Sequence, residues 1–557
     1  MNGKANGAAS VDRKIDAGTF DYIVAGAGSA GCCVAARLSE NGKYRVLLLE
    51  AGGEDRYWWI HVPVGYSRLF ANPKLNWMFE SEPEPELNGR TMYQPRGKVL
   101  GGTSSINGMV YMRGNPADYD LWRQRGCAGW DWDSVLPYFR KAEDQERGAD
   151  PAHGVGGPLR VTDQAIRWEL GDAFVAAAVE TGLPKNDDFN DGEQEGAGPF
   201  QSTTNRKRRW STATAYLKPA RGRANLEIRT NAHATRVVIE DGPNGMKRAS
   251  GVEFLCDGVA HVARARGEIV VSGGVYGSPQ LLQLSGLGPG ELLQQHGVPL
   301  VRDMPAVGAD LQDHFYVRLT FRCTRPITLN DIANNPARKL LAGMQYVFFR
   351  KGPLTSNGIC AGAFARSDPR LERPDLQFNC SVWSFAERNR IGAVPHPFSG
   401  FTISAVHLRP DARGTVQIKS PHPLAAPSIR FNFLKTRYDI DALTAGIRLA
   451  RKFTQQPALA PYVAEEIVPG AEIESDADFE AAIRRNGISN LHPVGTCHMG
   501  ADEAAVCDPR LRVNGVKGLR VADAAIMPSV PAGNTNAPSI MIGEKAADMI
   551  LEDARAA

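Results

Sequence analysis

Apolar runs broken by glycines open the chain. A strand-like run over residues 21–25 leads into Gly26-Ala-Gly28-Ser29-Ala30-Gly31, then a helical stretch, then a second apolar run over residues 44–49 that ends at Glu50. Strand, glycine turn, helix and strand predict a βαβ unit. Gly26 permits the tight turn, Gly28 lets backbone approach a pyrophosphate, and Gly31 lets the helix lie close to the strand. The helix begins at Ser29 and Ala30, and its N-terminal amides favour an anion. Glu50 stands about 20 residues past the glycines, the offset of a carboxylate that binds ribose hydroxyls. A glycine-rich turn in an ordinary α/β unit is the competing reading, and it gives no reason for the acid.

Further along, residues 80–95 are Pro-rich and read as loop. Residues 97–108 form a second glycine- and serine-rich block, in which Gly102, Ser104, Asn107 and Gly108 suggest backbone approaching a ligand. Residues 268–272 read as a buried strand that runs into glycines, followed by a helix over 278–286 with proline in its first turn. From about 316 to 484 the pattern alternates, as in 401–408 and 414–419, with an apolar helix over 339–349. This predicts an antiparallel sheet with helices. Residues 519–523 are a strand ending in Asp523, and 538–551 a closing helix. The nucleotide unit is therefore expected to draw on both ends of the chain.

At 557 residues the chain exceeds one core. Its net charge of +3 implies no nucleic-acid or membrane partner. The basic run at 206–209 reads as a solvated loop. No run of about 18 apolar residues is present, so no transmembrane helix is expected. Residues 1–18 are polar and read as a disordered tail, neither signal nor anchor. The nine cysteines include no CxxC pair, which suits a reducing, cytoplasmic setting without structural disulfides or zinc. Cys32 and Cys33 read as small apolar groups. His61, His153, His296 and His314 lack metal-ligand spacing and read as structural, so no metal site is expected.

Two segments concentrate polar groups among apolar ones, at 489–500 and 532–538. His492, held by Pro493 and Gly495, can serve as a general base. Asn536 can hold a substrate oxygen. Either residue alone is equally consistent with a satisfied buried polar group.

At these residues the chain resembles the glucose–methanol–choline (GMC) oxidoreductases, in the style of their choline- and alcohol-dehydrogenase branch, over about residues 20–551. Residues 97–107 look like the first family signature. Residues 274–288 look like the second, with Val275 in place of a smaller residue. HPVGTCHMG and APSIMIGEKAADMI look like the closing motifs. The resemblance implies a Rossmann-like FAD-binding domain from 19–165, 225–315 and 485–557. It implies a substrate domain with an antiparallel sheet from 166–224 and 316–484. It implies FAD, with Asp523 and Ala524 near the ribityl chain, Ala234 near adenine, and Asn107 and Gly108 at the flavin. Asn536 stands where members carry a second His or Asn. Ile106 replaces the histidine that attaches FAD in some members, so a noncovalent flavin is implied.

The implied reaction is oxidation of a primary alcohol, aliphatic or aromatic, to the aldehyde by hydride transfer to flavin N5. His492 is the base and Asn536 orients the oxygen, with oxygen or a quinone-type carrier as acceptor. The closing helix would direct its positive end at the flavin N1 and C2 carbonyl. Choline oxidation, a hydroxynitrile lyase and a light-driven decarboxylase are alternatives. Ile359 and Asn379, with Cys360 one residue out of register, weigh against the last. A noncatalytic flavin carrier would not need both His492 and Asn536. Some of Trp58, Trp59, Ile60, Trp383, Phe385 and the helix at 340–349 are expected to line an apolar entrance.

Overall fold

The computed structural model describes residues 14–242 and 245–556. The first sheet has eight strands and follows the order Leu226–Arg229, Val46–Leu49, Ile15–Ala25, Val259–Val271, Lys247–Cys256, Ala232–Asp241. The first four of these pair in parallel, and Leu519–Val521 lies parallel on Val259–Val271. Val46–Leu49 is buried throughout, as a parallel strand covered on both faces must be. Gly31 makes that cover close: a Cβ there would stand 1.9 Å from the Gly26 carbonyl oxygen. Helix Ser29–Leu38 packs against the closing helix Asn536–Ala556. Arg37 pairs with the fully buried Glu544 at 2.8 Å, and the Tyr216 hydroxyl donates to the same carboxylate. The two ends of the chain are thus joined through a charge that would be costly to bury alone.

The second sheet has seven strands, all antiparallel, in the order Val463–Val468, Phe315–Cys323, Gly400–His407, Leu376–Ser381, Ile359–Ala365, Gly196–Gly198. Ile488–Ser489 pairs with the start of Phe315–Cys323, past the expected limit at 484. Along that strand Phe315, Val317, Leu319 and Phe321 enter the core, while Tyr316, Arg318 and Thr320 line a cavity on the other face.

Several local expectations shift. The first strand already begins at Ile15, paired with His261, inside the stretch read as a tail. Residues 1–13 lie outside the described residues. The second-signature helix begins at Gly274 rather than 278, and the closing helix begins at Asn536. The basic run is not all solvated. Arg209 is buried and donates to the Ile60 and Ser104 carbonyls and to Asn107 Oδ1, and burial pushes its guanidinium down to about 9. His153 is structural. It sits in a buried group with Arg113 and Glu143, and despite burial its bonds to Asp188 and Glu143 push it up to about 9. Among the described residues no helix is long and apolar enough to cross a membrane.

Candidate active site

A cavity of about 910 Å³ receives residues from both sheets. From the nucleotide side come Gly26, Gly28, Ser29, Ala30, Glu50 and Ala234. The loops over it contribute Gly102, Asn107, Gly108, Asp523, Ala524 and Asn536. From the second sheet come Tyr316, Arg318 and Thr320, and His492 lies in the same wall. Gly31 and Ser104, which belong to the two glycine-rich motifs, do not line it. Gly31 serves helix packing, and the Ser104 hydroxyl is buried against the Gly101 carbonyl and Thr212.

The nucleotide end is built from backbone and acids. Gly28 has an extended backbone, φ −78° and ψ −164°, so nothing in its conformation demands glycine. A Cβ there would meet only the Ser272 carbonyl oxygen at 4.0 Å and would otherwise stand in the cavity. That open space is what a pyrophosphate over a helix N-terminus needs. Gly102, at φ +52°, lets the first-signature loop lie directly on Gly28, where a Cβ would come within 2.7 Å of its Cα. The Glu50 carboxylate accepts from the Ala27 and Gly52 amides at 3.0 and 2.8 Å. Burial nevertheless pushes it up to about 7, so hydroxyl donors from a ligand would stabilise its charged form. Asp523 accepts from the Gly274 amide, the Ser278 hydroxyl and the Ala525 amide, and burial raises it too.

The reactive end centres on His492. Its amide donates to Asp313 Oδ1 at 2.7 Å, and the Ser489 hydroxyl donates to Asp313 Oδ2. Its ring Nε2 lies 3.0 Å from Asn534 Nδ2, and its Nδ1 lies 3.1 Å from His314 Nδ1 and 3.3 Å from Asn490 Nδ2. With the Asn534 amide donating to Nε2, the Nδ1 edge of the ring faces His314 Nδ1 and the Asn490 amide. Burial, reinforced by the charge of Arg96, pushes His492 down to about 3. Burial and the neighbouring His492 lower His314 as well. Both rings are neutral at neutral pH, and the basic lone pair on Nε2 is the one that the Asn534 amide meets. Asn534 Oδ1 is buried without a partner, as are two guanidinium nitrogens of Arg96.

The asparagine beside the His492 ring is Asn534, not the expected Asn536, although both line the cavity. Asn536 Oδ1 instead accepts from the Ser29 hydroxyl at 2.8 Å, which pins the start of the closing helix to the start of the first. Sequence reading also missed His314 and Asp313. The signal was Gln312-Asp313-His314, three polar residues running straight into a buried strand. Of the apolar residues expected at the entrance, Trp383 and Phe385 reach the cavity, whereas Trp58, Trp59, Ile60 and the helix at 340–349 do not.

Known proteins are similar to this chain over nearly its whole length. The N-terminal GMC oxidoreductase model matches residues 20–316 and the C-terminal GMC oxidoreductase model matches 410–543. An alcohol dehydrogenase [acceptor] of Pseudomonas putida is 42% identical over 535 residues, 96% of this chain and 96% of that protein. The mitochondrial choline dehydrogenase of Homo sapiens is 41% identical over 540 residues, 95% of this chain and 89% of that protein. A structure of formate oxidase from Aspergillus oryzae RIB40, concerned with its FAD modification, matches with a TM-score of 0.89 at 26% identity, covering 97% of this chain and 99% of that one. The chain belongs to the GMC oxidoreductase family and is an FAD-dependent alcohol oxidoreductase.

Proposed function

We propose that this protein oxidises a primary alcohol, aliphatic or aromatic, to its aldehyde, with His492 as general base and Asn534 orienting the hydroxyl. One observation carries the reading. A neutral imidazole and a carboxamide with an unpartnered oxygen meet at 3.0 Å inside a cavity that also holds the dinucleotide cradle. Bound there, FAD supplies the two-electron acceptor. His492 Nε2 takes the hydroxyl proton as the carbon is oxidised. His314 holds the ring through Nδ1, and Asp313 holds its backbone, so the base meets the substrate in one orientation. Ser29 and Asn536 secure the two helix N-termini that open on the cofactor.

The reading includes a noncovalently held FAD, and the setting of Ile106 supports it. Ile106 is fully buried with Ile60, Leu69, Leu75 and Val99 and stands outside the cavity lining. Acid or heat should release intact FAD into the supernatant. Flavin that stays with the precipitated protein would overturn this assignment.

Choline oxidation is the second reading, favoured by the aromatic wall of Tyr66, Phe70, Trp383 and Phe385 and by the choline dehydrogenase relative. The acids lining the cavity weigh against it. Glu50 and Asp523 bind backbone amides, and Glu80 binds Thr91 and Arg390. The sheet floor instead presents Arg318, which has no acidic partner among the described residues. A quaternary ammonium would face that cation, whereas an uncharged alcohol would lie along the aromatic wall. Catalytic efficiency should rise along short linear alcohols by about fourfold per added methylene, the equivalent of ~0.8 kcal/mol of burial. Benzylic alcohols should rank with the longer members. A flat series with choline or glucose as the best substrate would refute the apolar-alcohol reading. The light-driven decarboxylase has little support: Cys360 is buried against the Cys380 carbonyl, away from the cavity lining.

A further inference from the structure

Helix Pro336–Phe349 is built inside out. Ala342 and Tyr346, one turn apart, are its buried positions. Its outward face carries Leu340, Leu341, Met344, Val347, Phe348 and Phe349, with Leu340, Phe348 and Phe349 exposed by 65%, 72% and 69%. Scattered exposed apolar residues need no explanation, but a contiguous stripe of this size on one helix marks an interaction surface. At 14 residues the helix spans about 21 Å, too short to cross a bilayer. Its apolar side can only lie on something.

The charges around it say what. Arg338 and Lys339 stand at the start of the helix, and Arg350 and Lys351 at its end. The turn of Arg206, Lys207 and Arg208 lies alongside, because the Tyr346 hydroxyl donates to the Lys207 carbonyl at 3.3 Å. No acid occurs between Ile332 and Ser367 or between Gly196 and Leu226. None of these cations has an acidic partner among the described residues. Arg350 instead lies over the rings of Tyr346 and Trp58, and Tyr57 and Trp58 are themselves exposed. Exposed apolar side chains ringed by unpaired lysine and arginine, with Trp and Tyr at the margin, match the interfacial region of an anionic bilayer. A second copy of the chain fits poorly, since a two-fold contact would set the two cation rings against each other.

We propose that this face docks the protein peripherally on an anionic phospholipid membrane. The proposal stands apart from the identity of the alcohol. It has a consequence for access, because Trp58 packs against Tyr346 at 6.1 Å and the short helices that follow it bring Tyr66, Ser67 and Phe70 to the cavity. Docking would hold that side of the cavity at the bilayer, where apolar alcohols concentrate.

The test is co-sedimentation of the full-length, FAD-loaded enzyme with vesicles of phosphatidylcholine alone or mixed with phosphatidylglycerol. Binding should be at least about tenfold tighter to the mixed vesicles, from several cations near a charged surface, and should weaken in high salt. The pair Phe348→Ser and Phe349→Ser should lose binding to both vesicles. The pair Lys339→Glu and Lys351→Glu should lose the preference for the anionic lipid. Both variants should keep wild-type alcohol oxidation with a water-soluble dye, which also shows that they fold. A wild-type enzyme that stays in the supernatant with the mixed vesicles overturns the proposal. So does a solution dimer that Phe348→Ser and Phe349→Ser split into monomers without any vesicle binding.

Discussion

Replacing His492 with alanine should leave a yellow, FAD-loaded protein whose flavin is reduced by alcohol roughly 100-fold or more slowly, the scale of a lost general base. The ring makes no hydrogen bond to the nucleotide half of the cavity. Its contacts are Asn534, His314 and Asn490, and its backbone anchor to Asp313 survives the substitution. The loss should therefore fall on reduction and not on cofactor content. Stopped-flow reduction under anaerobic conditions, with flavin absorbance per protein measured beside it, separates the two. Near-normal reduction would remove His492 from the mechanism. The two asparagines extend the test. Asn534→Ala should slow reduction by about tenfold, the worth of one oriented hydrogen bond. Asn536→Ala removes the bond from Ser29 and should chiefly loosen FAD.

That contrast marks how far the residues speak for themselves. The dinucleotide cradle was legible because its logic is local: a turn, a helix start and an acid at fixed spacing all act through neighbouring backbone. The alternating strands were legible for the same reason, since a period of two needs no partner to be seen. Gly533-Asn534-Thr535-Asn536 is different. Which amide turns toward the histidine depends on where the helix begins, and the helix takes Asn536 as its first residue and aims it at Ser29. His314 joins His492 across 178 residues through the pairing of Phe315 with Ser489, which no spacing along the chain encodes. Arg209 is buried because its three acceptors come from elsewhere in the chain. The helix at 336–349 shows the converse. Periodicity revealed an apolar face but not that the fold leaves it uncovered. A net charge of +3 likewise concealed a local ring of unpaired cations.

Gly28→Val should yield a folded protein that has lost most of its FAD. The substitution is gentle on the backbone, because φ −78° and ψ −164° are extended and a β-branched residue adopts them readily. It is gentle on packing too, with nothing nearer to the new Cβ than the Ser272 carbonyl oxygen at 4.0 Å. What it fills is the space over the first helix, where amides would otherwise bind the pyrophosphate. Each charge-assisted bond displaced is worth about 1.5–3 kcal/mol, so affinity should fall on the order of 10- to 100-fold. The variant should match the wild-type apoprotein in circular dichroism and melting temperature. It should gain less stability from excess FAD than the wild type does, since a ligand raises the melting point in proportion to the logarithm of its affinity for the folded state. Gly31→Ala provides the control. There a Cβ would press on the Gly26 carbonyl oxygen at 1.9 Å, so the helix must shift and the apoprotein itself should melt lower. A Gly28→Val protein that carries a full complement of FAD would show that the cofactor does not pass over this turn, and would remove the central support for the cradle.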